Sequence, residues 1–524
     1  MKKWGRKSII FLLVVLIFTL AGCGETESER KSTAETNEEG PVELDAFINF
    51  TWYSNEEFKG KIPEKITEKT GVTLNVTKAA DEKQLGLMIA SEELPDIIFT
   101  SKELSRLSNP DVSYSYNELI DKGYMPLFDQ GEERIMNAKS FSSDDNFYTI
   151  LSAYGTKEDW DNSPSALLGG PGLIFRQDIY EELGSPELKT TEDFITLLEM
   201  VQEKYPEMRP FMFNPIWQFT PFKVAYGVQA DGRYTYYSDN NGGIEFGVRS
   251  ENYLDFLKYA NTLYKKGLMT ADNFAVKNES DVIGEFNGGR AFAMTWTDGA
   301  VVGTDSKLKQ NFPEGKAGLI TGLETKNDPI LVNNQIGWAG VFISKNCKDP
   351  EAAARLVDFI YSQEGRELTC FGIEGEDWNR DENGNIVFSD EIIDIRLNNP
   401  NKWEAEWNKG FYFGKHLEEN VAFGILADSK PTEVNEMVKE SSNYYKEIVD
   451  INPRLSLIKP KADTDEKIIY DKLVKLFEDE EAKIIMSETE EELTANYNSM
   501  IETAINLGMD DLEQRLTEAY QALN

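Results

Sequence analysis

The chain has 524 residues, 92 of them acidic and 54 basic, for a net charge of −38 with one histidine. So acidic a polymer repels phosphate backbones and anionic headgroups, which argues against nucleic acid or an anionic lipid surface as partner. The acids are scattered along the chain, the pattern of a solvated acidic surface; a cationic ligand is the second reading.

The first residues read as an export signal. Lys2, Lys3, Arg6 and Lys7 precede an uncharged apolar run, Ile9 to Leu20, that leads into small residues. A membrane span needs about 20 apolar residues, and this run is shorter. Leu20-Ala21-Gly22-Cys23 resembles the lipobox of bacterial lipoproteins; the plainer reading is a simple signal with an incidental cysteine. The resemblance implies cleavage after Gly22 and a covalent diacylglycerol and acyl chain on Cys23, with no other cofactor. Two or more chains hold a protein stably on a bilayer, so the expected place is the outer face of the cytoplasmic membrane in a Gram-positive-type envelope. Residues 23–40 are Glu-, Ser- and Thr-rich and cannot bury a core, so they read as a flexible acidic tether. Loss of the signal would leave 50 basic against 92 acidic residues.

The remaining length, about 480 residues, exceeds one simple core and predicts two large lobes. Leu44 to Phe50, Val72 to Val76 and Asp96 to Phe99 read as strands, with helices predicted over Glu56 to Lys69 and Glu82 to Ser91. This alternation predicts parallel strands with crossover helices, and ligands of such sheets bind beyond the strands' carboxyl ends. Here those ends are Asn49 to Asn55 and Phe99 to Glu103. Asn162 to Gly172 is turn-rich and reads as a crossing between lobes; its glycines are followed by no Lys-Ser/Thr, so it is no phosphate loop. Thr190 and Asp193 form the signature of a capping box for a helix to Glu203. A second helix spans Asn252 to Lys266, capped by Ser250 and stopped at Gly267. Strands at Ala291 to Thr295 and Gly340 to Ser344 follow.

Asp349-Pro350 opens a helix carried by Ala353, Leu356, Val357 and Ile360 toward Leu368. Cys347 and Cys370 flank it. At 1.5 Å per residue it separates them by roughly 27–30 Å, beyond the reach of a disulfide, so both are expected as free, structural thiols. The alternating oxygens of Asp377, Asn379 and Asp381 hint at calcium, but Glu382 and Phe388 stand where a calcium loop has glycine and glutamate. A hairpin turn at Asn383-Gly384 explains the segment better. The last ninety residues are mostly helical, with starts near Thr432, Thr464, Thr489 and Gly508.

Several segments, in order, resemble family 1 extracellular solute-binding proteins, the capturing partners of ATP-driven importers. Leu94-Pro95-Asp96-Ile97-Ile98-Phe99 is similar to their Pro-Asp-Ile strand. Gly172 to Tyr180 with Leu183-Gly184 and Thr190 to Phe194 resembles their first entry into the second lobe. Phe286 to Met294 resembles their phenylalanine–glycine–alanine–methionine strand. Gly372-Ile373-Glu374-Gly375 and Leu507-Gly508-Met509 look like the large lipoprotein (LplA-like) branch, whose members bind oligosaccharides. The resemblance implies an α/β, periplasmic-binding-protein-like fold: two α/β lobes with a hinge and a ligand cleft between them, and a helical C-terminal region. Lobe one would hold 41–157 and 299–345, and lobe two 158–298 and 346–524. The implied partners are an oligosaccharide, ABC importer permease subunits, and the membrane through the lipid anchor only. The chain is expected as a monomer.

A sugar is apolar on its ring faces and polar at its rim, so its pocket needs flat aromatics and a few fixed polar groups. The candidates by position are Trp52, Tyr53, Trp160, Trp217, Trp296, Asp298 and Trp338. Each tryptophan has a competing reading as core, since tryptophan is largely buried on average. Trp403 and Trp407, four apart, read as a packing stripe. Enzyme chemistry has little to stand on: His416 is the lone histidine and reads as structural, and neither a nucleophile elbow nor a zinc motif occurs. Paired carboxylates could hydrolyse glycosides, so an exported glycan-degrading enzyme is a second class of function. A receptor for a peptide or other solute, or one feeding a sensor, is a third.

Overall fold

Val42–Ile48 (β1), Val72–Lys78 (β2) and Ile97–Thr100 (β3) pair in parallel in the order β2-β1-β3. They belong to a computed structural model that describes residues 40–524 apart from 54, 82, 153–169, 230–235, 239–242, 334–336, 338, 409–417, 430, 462–463 and 524. The signal, Cys23, the tether and His416 therefore lie outside the described residues. Every residue of β3 is buried, as a strand covered on both faces requires. The crossover helix Lys61–Thr70 turns Ile62, Ile66 and Thr70 inward at four-residue spacing and stops at Gly71, whose φ of 69° suits a left-handed cap. It starts five residues later than its apolar spacing predicts. The amide of Asn408 donates to Glu57 O at 2.8 Å and Lys59 O at 2.9 Å and holds that stretch as a loop.

The sheet is completed from afar. Ile150–Ser152 (β4) and Ala339–Ile343 (β12) extend it to β2-β1-β3-β12-β4, with β12 antiparallel to both neighbours. Asp96, buried at the start of β3, accepts the Asp45 N–H at 2.7 Å and the Lys348 N–H at 2.8 Å. It thereby ties β1 to the chain that follows β12.

A second sheet contains Pro171–Arg176 (β5), Arg209–Met212 (β6), Ala291–Thr297 (β9) and Ala317–Ile320 (β10), in the order β10-β5-β9-β6. Between β6 and β9 lies the hairpin of Tyr236–Ser238 (β7) and Ile244–Phe246 (β8). The helix Thr191–Lys204 packs on this sheet through Phe194, Leu197, Leu198 and Val201, and its capping box at Thr190 and Asp193 forms as predicted. The helix Tyr253–Lys265 forms too, but Ser250 does not cap it: its hydroxyl accepts the Gln229 N–H instead.

The lobe boundaries differ from the sequence-based division. The helix Ala300–Asn311 and β10 pack with the second sheet, through Val301, Leu308 and Leu319. Helices Pro350–Tyr361, Gln363–Phe371, Asp390–Asn398 and Glu418–Ser429 pack with the first, through Val357, Ile360, Leu368, Ile392 and Leu426. The helix expected over 350–368 is broken at Ser362, whose hydroxyl caps a second helix by accepting the Gly365 N–H. A Cβ on Gly365 would lie 1.9 Å from Phe359 O, so this corner admits only glycine.

Cys347 and Cys370 are free and buried. Trp403 and Trp407 are buried with rings stacked at 5.0 Å, the packing stripe expected of them. Trp378–Arg380 (β13) and Ile386–Phe388 (β14) form the hairpin expected around Gly384, whose φ is 84°. Asp381 accepts the Asn383 and Asn385 N–H groups within it, while Asp377 is buried away from that turn against Ile373 N–H and Trp407 Nε1.

Leu331–Asn333 (β11) pairs in parallel with Val449–Ile451 (β15), after the helix Glu433–Ile448. The C-terminal helices Asp465–Ile485, Glu490–Asn506 and Met509–Ala522 begin at Thr464, Thr489 and Gly508, as read, and pack with the second sheet. A buried ion pair holds the first of them. Lys223 Nζ lies 2.9 Å from Glu481, Tyr253 donates its hydroxyl to the same carboxylate, and the ammonium sits 5.2 Å over the Phe256 ring.

Two consequences can be measured. Lys223→Ala leaves a buried carboxylate without its cation and should lower stability by about 3–5 kcal/mol in urea denaturation, while Lys223→Met with Glu481→Leu recovers most of the loss. Asp358, buried, accepts the Leu127 N–H at 2.9 Å through Oδ2 and has no partner for Oδ1. Burial pushes its carboxyl up from 3.8 to about 6, so the stability it contributes is present below 3.8 and is lost as pH rises through 6. Asp358→Asn should therefore gain on the native chain across that interval and remain ahead of it at pH 7.5, by about 1–3 kcal/mol in denaturation curves.

Candidate functional site

Strand directions place the candidate site. In the first sheet β1, β3 and β4 run one way and β12 the other, so the carboxyl ends of β1, β3 and β4 share an edge with the start of β12. In the second, β6, β9 and β10 run against β5, so their carboxyl ends share an edge with the start of β5. The chain joins the two edges from β4 to β5 and from β10, by way of β11, to β12, and goes over to the second sheet again between the helices Glu418–Ser429 and Glu433–Ile448. Ahead of β12 Gly337, with φ 81°, comes so close to β4 that a Cβ would lie 2.5 Å from Ser152 O.

On the first edge, Asn49 continues the ladder by donating its N–H to Phe99 O, and its amide donates to Thr100 Oγ1 at 3.0 Å. Trp52 is partly buried, with its ring 5.1 Å from Phe50. Tyr53 points into the core with 3% of its surface exposed, so it is withdrawn from the candidate surface. The turn that carries Tyr53 N–H back to Phe50 O swings the ring inward.

On the second edge, Trp296 is partly buried against Ile174, Met212 and Val438. Asp298, a candidate by position, is fully buried and ties neighbouring pieces of chain together. Its N–H donates to Gly170 O at 2.9 Å, its Oδ1 accepts the Gly299 N–H at 2.7 Å and its Oδ2 accepts the Ser441 hydroxyl at 3.3 Å. Beside it Tyr445 donates to Pro171 O at 2.6 Å, and burial holds that phenol far above its ordinary range. A Cβ on Gly170 would strike the Tyr445 ring at 2.6 Å.

Trp217 lies in the turn after β6, partly buried. Asn214 builds that turn: its N–H donates to Thr295 Oγ1, and its Oδ1 accepts the N–H groups of Ile216 at 2.9 Å and Trp217 at 3.4 Å. Sequence reasoning passed over Asn214, although Asn214-Pro215 is a turn-initiating pair. Trp160 and Trp338 lie outside the described residues.

A groove of about 680 Å³ lies elsewhere, beside the β11–β15 ribbon, between Gln229, Glu251, Asn252, Asp328, Glu447 and Asp450. Among the described residues no aromatic side chain lines it.

The sequence profile of the bacterial extracellular solute-binding proteins matches residues 52–367. The chain belongs to that family. It is 24% identical over 349 residues to the fructooligosaccharide ABC transporter substrate-binding protein FusA of Streptococcus pneumoniae, an alignment spanning 60% of each chain. Among solved structures, alginate-binding protein AlgQ2 without calcium ion aligns with a TM-score of 0.66 at 17% identity, over 92% of this chain and 98% of that one. FusA from S. pneumoniae in complex with kestose gives 0.64 at 17%, over 92% and 99%. The N-glycan transport protein NgtS from S. pneumoniae with Man5GlcNAc gives 0.56 at 14%, over 92% and 99%. These likenesses establish the periplasmic-binding-protein-like fold. Among the described residues no helix is long and apolar enough to cross a membrane.

The structural role of Asp298 is measurable. Asp298→Ala unpairs the Gly299 N–H and the Ser441 hydroxyl at a buried junction and should cost about 1–3 kcal/mol in urea denaturation, with Ser441→Ala costing less. An unchanged midpoint for Asp298→Ala would contradict the assignment.

Proposed function

We propose that this protein is a lipid-anchored extracellular receptor that captures an oligosaccharide between its two sheets and delivers it, chemically intact, to the permease of an ABC importer. The observation that carries this reading is that each sheet gathers three strand ends on one edge and the chain joins those edges, with the indole of Trp52 after β1 on the first and those of Trp217 and Trp296 on the second. Two α/β bodies joined in this way close by hinge motion around a ligand, and indole faces suit sugar rings. The crossing residues 153–169 and 334–338 carry the two further candidates, Trp160 and Trp338. The ligands of the similar proteins, fructooligosaccharide, kestose, alginate and N-glycan, are all carbohydrate.

In this reading the first body holds 41–152 with 339–429, and the second holds 171–333 with 433–523. Cys23 carries the acyl chains, the acidic segment after it spaces the body from the bilayer, and the receptor works as a monomer. No catalytic residue is assigned.

The full chain in mild detergent, screened by thermal shift against an oligosaccharide panel, should show a saturable rise in Tm with its cognate glycan. Trp217→Ala and Trp296→Ala should each weaken binding by about tenfold or more, the loss of one stacking platform, without lowering the unliganded Tm enough to signal unfolding. Release of new reducing ends during incubation would instead reveal an enzyme, and unchanged affinity in both variants would remove these indoles from the site.

A further inference from the structure

The chain that leaves β15 reaches back to the first body. Pro453–Ser456 is a 3-10 turn, in which side chains three residues apart share a face. Leu455 and Ile458, one such pair, are buried in the core of the second sheet. The neighbouring pair, Ser456 and Lys459, meets the helix Glu132–Lys139 and its end, where Ala138 belongs to the core of the first sheet. The Ser456 hydroxyl donates to Asn137 Oδ1, both residues being buried, and Lys459 Nζ stands 6.0 Å over the Phe141 ring. That helix is bound firmly into the first body. Arg134 donates to Leu151 O in β4, and Gln130, two residues ahead of the helix, donates to Tyr361 O at 3.2 Å.

A second contact between the bodies is of the opposite kind. Asn401, in the short helix Pro400–Lys402 beside Trp403 of the first core, donates to the Ser306 hydroxyl at 3.4 Å in the open. Ser306 belongs to the helix Ala300–Asn311 of the second body. A third, Lys439 with Asp428 at 2.7 Å, is also exposed, but the short stretch of chain that joins its partners keeps them close. When two bodies move, an exposed bond is exchanged for bonds to water at little cost, whereas a buried one loses its partner where water does not reach. Rotation therefore keeps the Asn137–Ser456 contact and opens the Asn401–Ser306 contact. Two fixed points define a line, and Phe141–Lys459 supplies the second point.

We propose that the line through Asn137–Ser456 and Phe141–Lys459 is the axis about which the two bodies turn, and that they part at Asn401–Ser306. This rests on the two-body receptor reading above and is independent of which glycan is bound.

Distances between paired spin labels in the full chain test the axis. Cys23→Ser leaves only Cys347 and Cys370, both buried, as native thiols, so labels go to introduced cysteines. One pair, Met136→Cys with Lys461→Cys, flanks the axis, and the other, Lys307→Cys with Asn401→Cys, flanks the parting point. All four positions are exposed. Without ligand the 307–401 distance should be broad or two-valued and the 136–461 distance single. A glycan that raises Tm in the panel above should draw 307–401 to one value, a shift of more than about 2 Å, and move 136–461 by less. Ser456→Ala combined with Lys459→Ala should broaden 136–461, whereas Ser306→Ala should change neither distance. A 136–461 distance that moves as far as 307–401 overturns the axis, and so does a native 136–461 distribution in the double variant. Two narrow, fixed distances overturn the parting of the bodies as well. If no glycan raises Tm the receptor reading fails, and the ligand-free distances still decide the axis.

Discussion

Asp298 is the knot on which the strand-end edge of the second sheet depends. Three pieces of chain distant in sequence meet at its backbone and carboxylate: the end of β9, the entry to β5 at Gly170, and the helix Glu433–Ile448 through Ser441. Tyr445 closes the same junction from the side by donating to Pro171 O. Because each of these bonds is buried, none can be exchanged cheaply for water. The position of Trp296, two residues before the knot, is therefore set by the junction as well as by its own packing.

The same logic recurs at two other points. Asp96 joins β1 to the chain after β12 through two backbone N–H groups, so the first sheet is closed by a residue at the start of its central strand. Lys223 and Glu481 join the C-terminal helices to the helix Thr220–Ala225 that follows β6, where a hydrophobic contact alone would leave the register of helix against helix loosely specified. Buried polar contacts of high sequence separation thus fix how the layers sit, and the apolar cores fill the space between them. Asn408, which holds the loop after β1 from about 350 residues away, belongs to the same set.

What was legible in the sequence was local. Thr190, Thr432, Thr464 and Thr489 mark helix starts because a cap is made within three residues, and all four accept the expected N–H. β1, β2, β3, β9 and β12 were read as strands because β-branched and aromatic runs fit a doubly covered sheet, whereas β4, β5, β6 and β10, each six residues or fewer, were not. The helix over Glu56 to Lys69 was read too long because the bonds that keep its first five residues extended come from Asn408. The break at Ser362 was missed because apolar spacing runs through it. The division at 299–345 and 346–524 came from the resemblance and not from the helices, because an amphipathic helix declares that it packs on a sheet, never which sheet. At the site, aromatics after strands were visible as such, whereas Asp298 looked open because Ser441 and Tyr445, which enclose it, are more than a hundred residues away. Asn214 looks ordinary in sequence; the turn it builds, through Thr295, Ile216 and Trp217, sets it apart.

The two thiols of the body have a consequence for life outside the cytoplasm. Burial lifts the Cys347 thiol up to about 12, so at neutral pH almost none of it is thiolate, and Cys370 is shut inside the same core. Disulfide exchange and peroxide attack both begin with thiolate. Once folded, these two thiols can stand in an oxidising medium without mispairing.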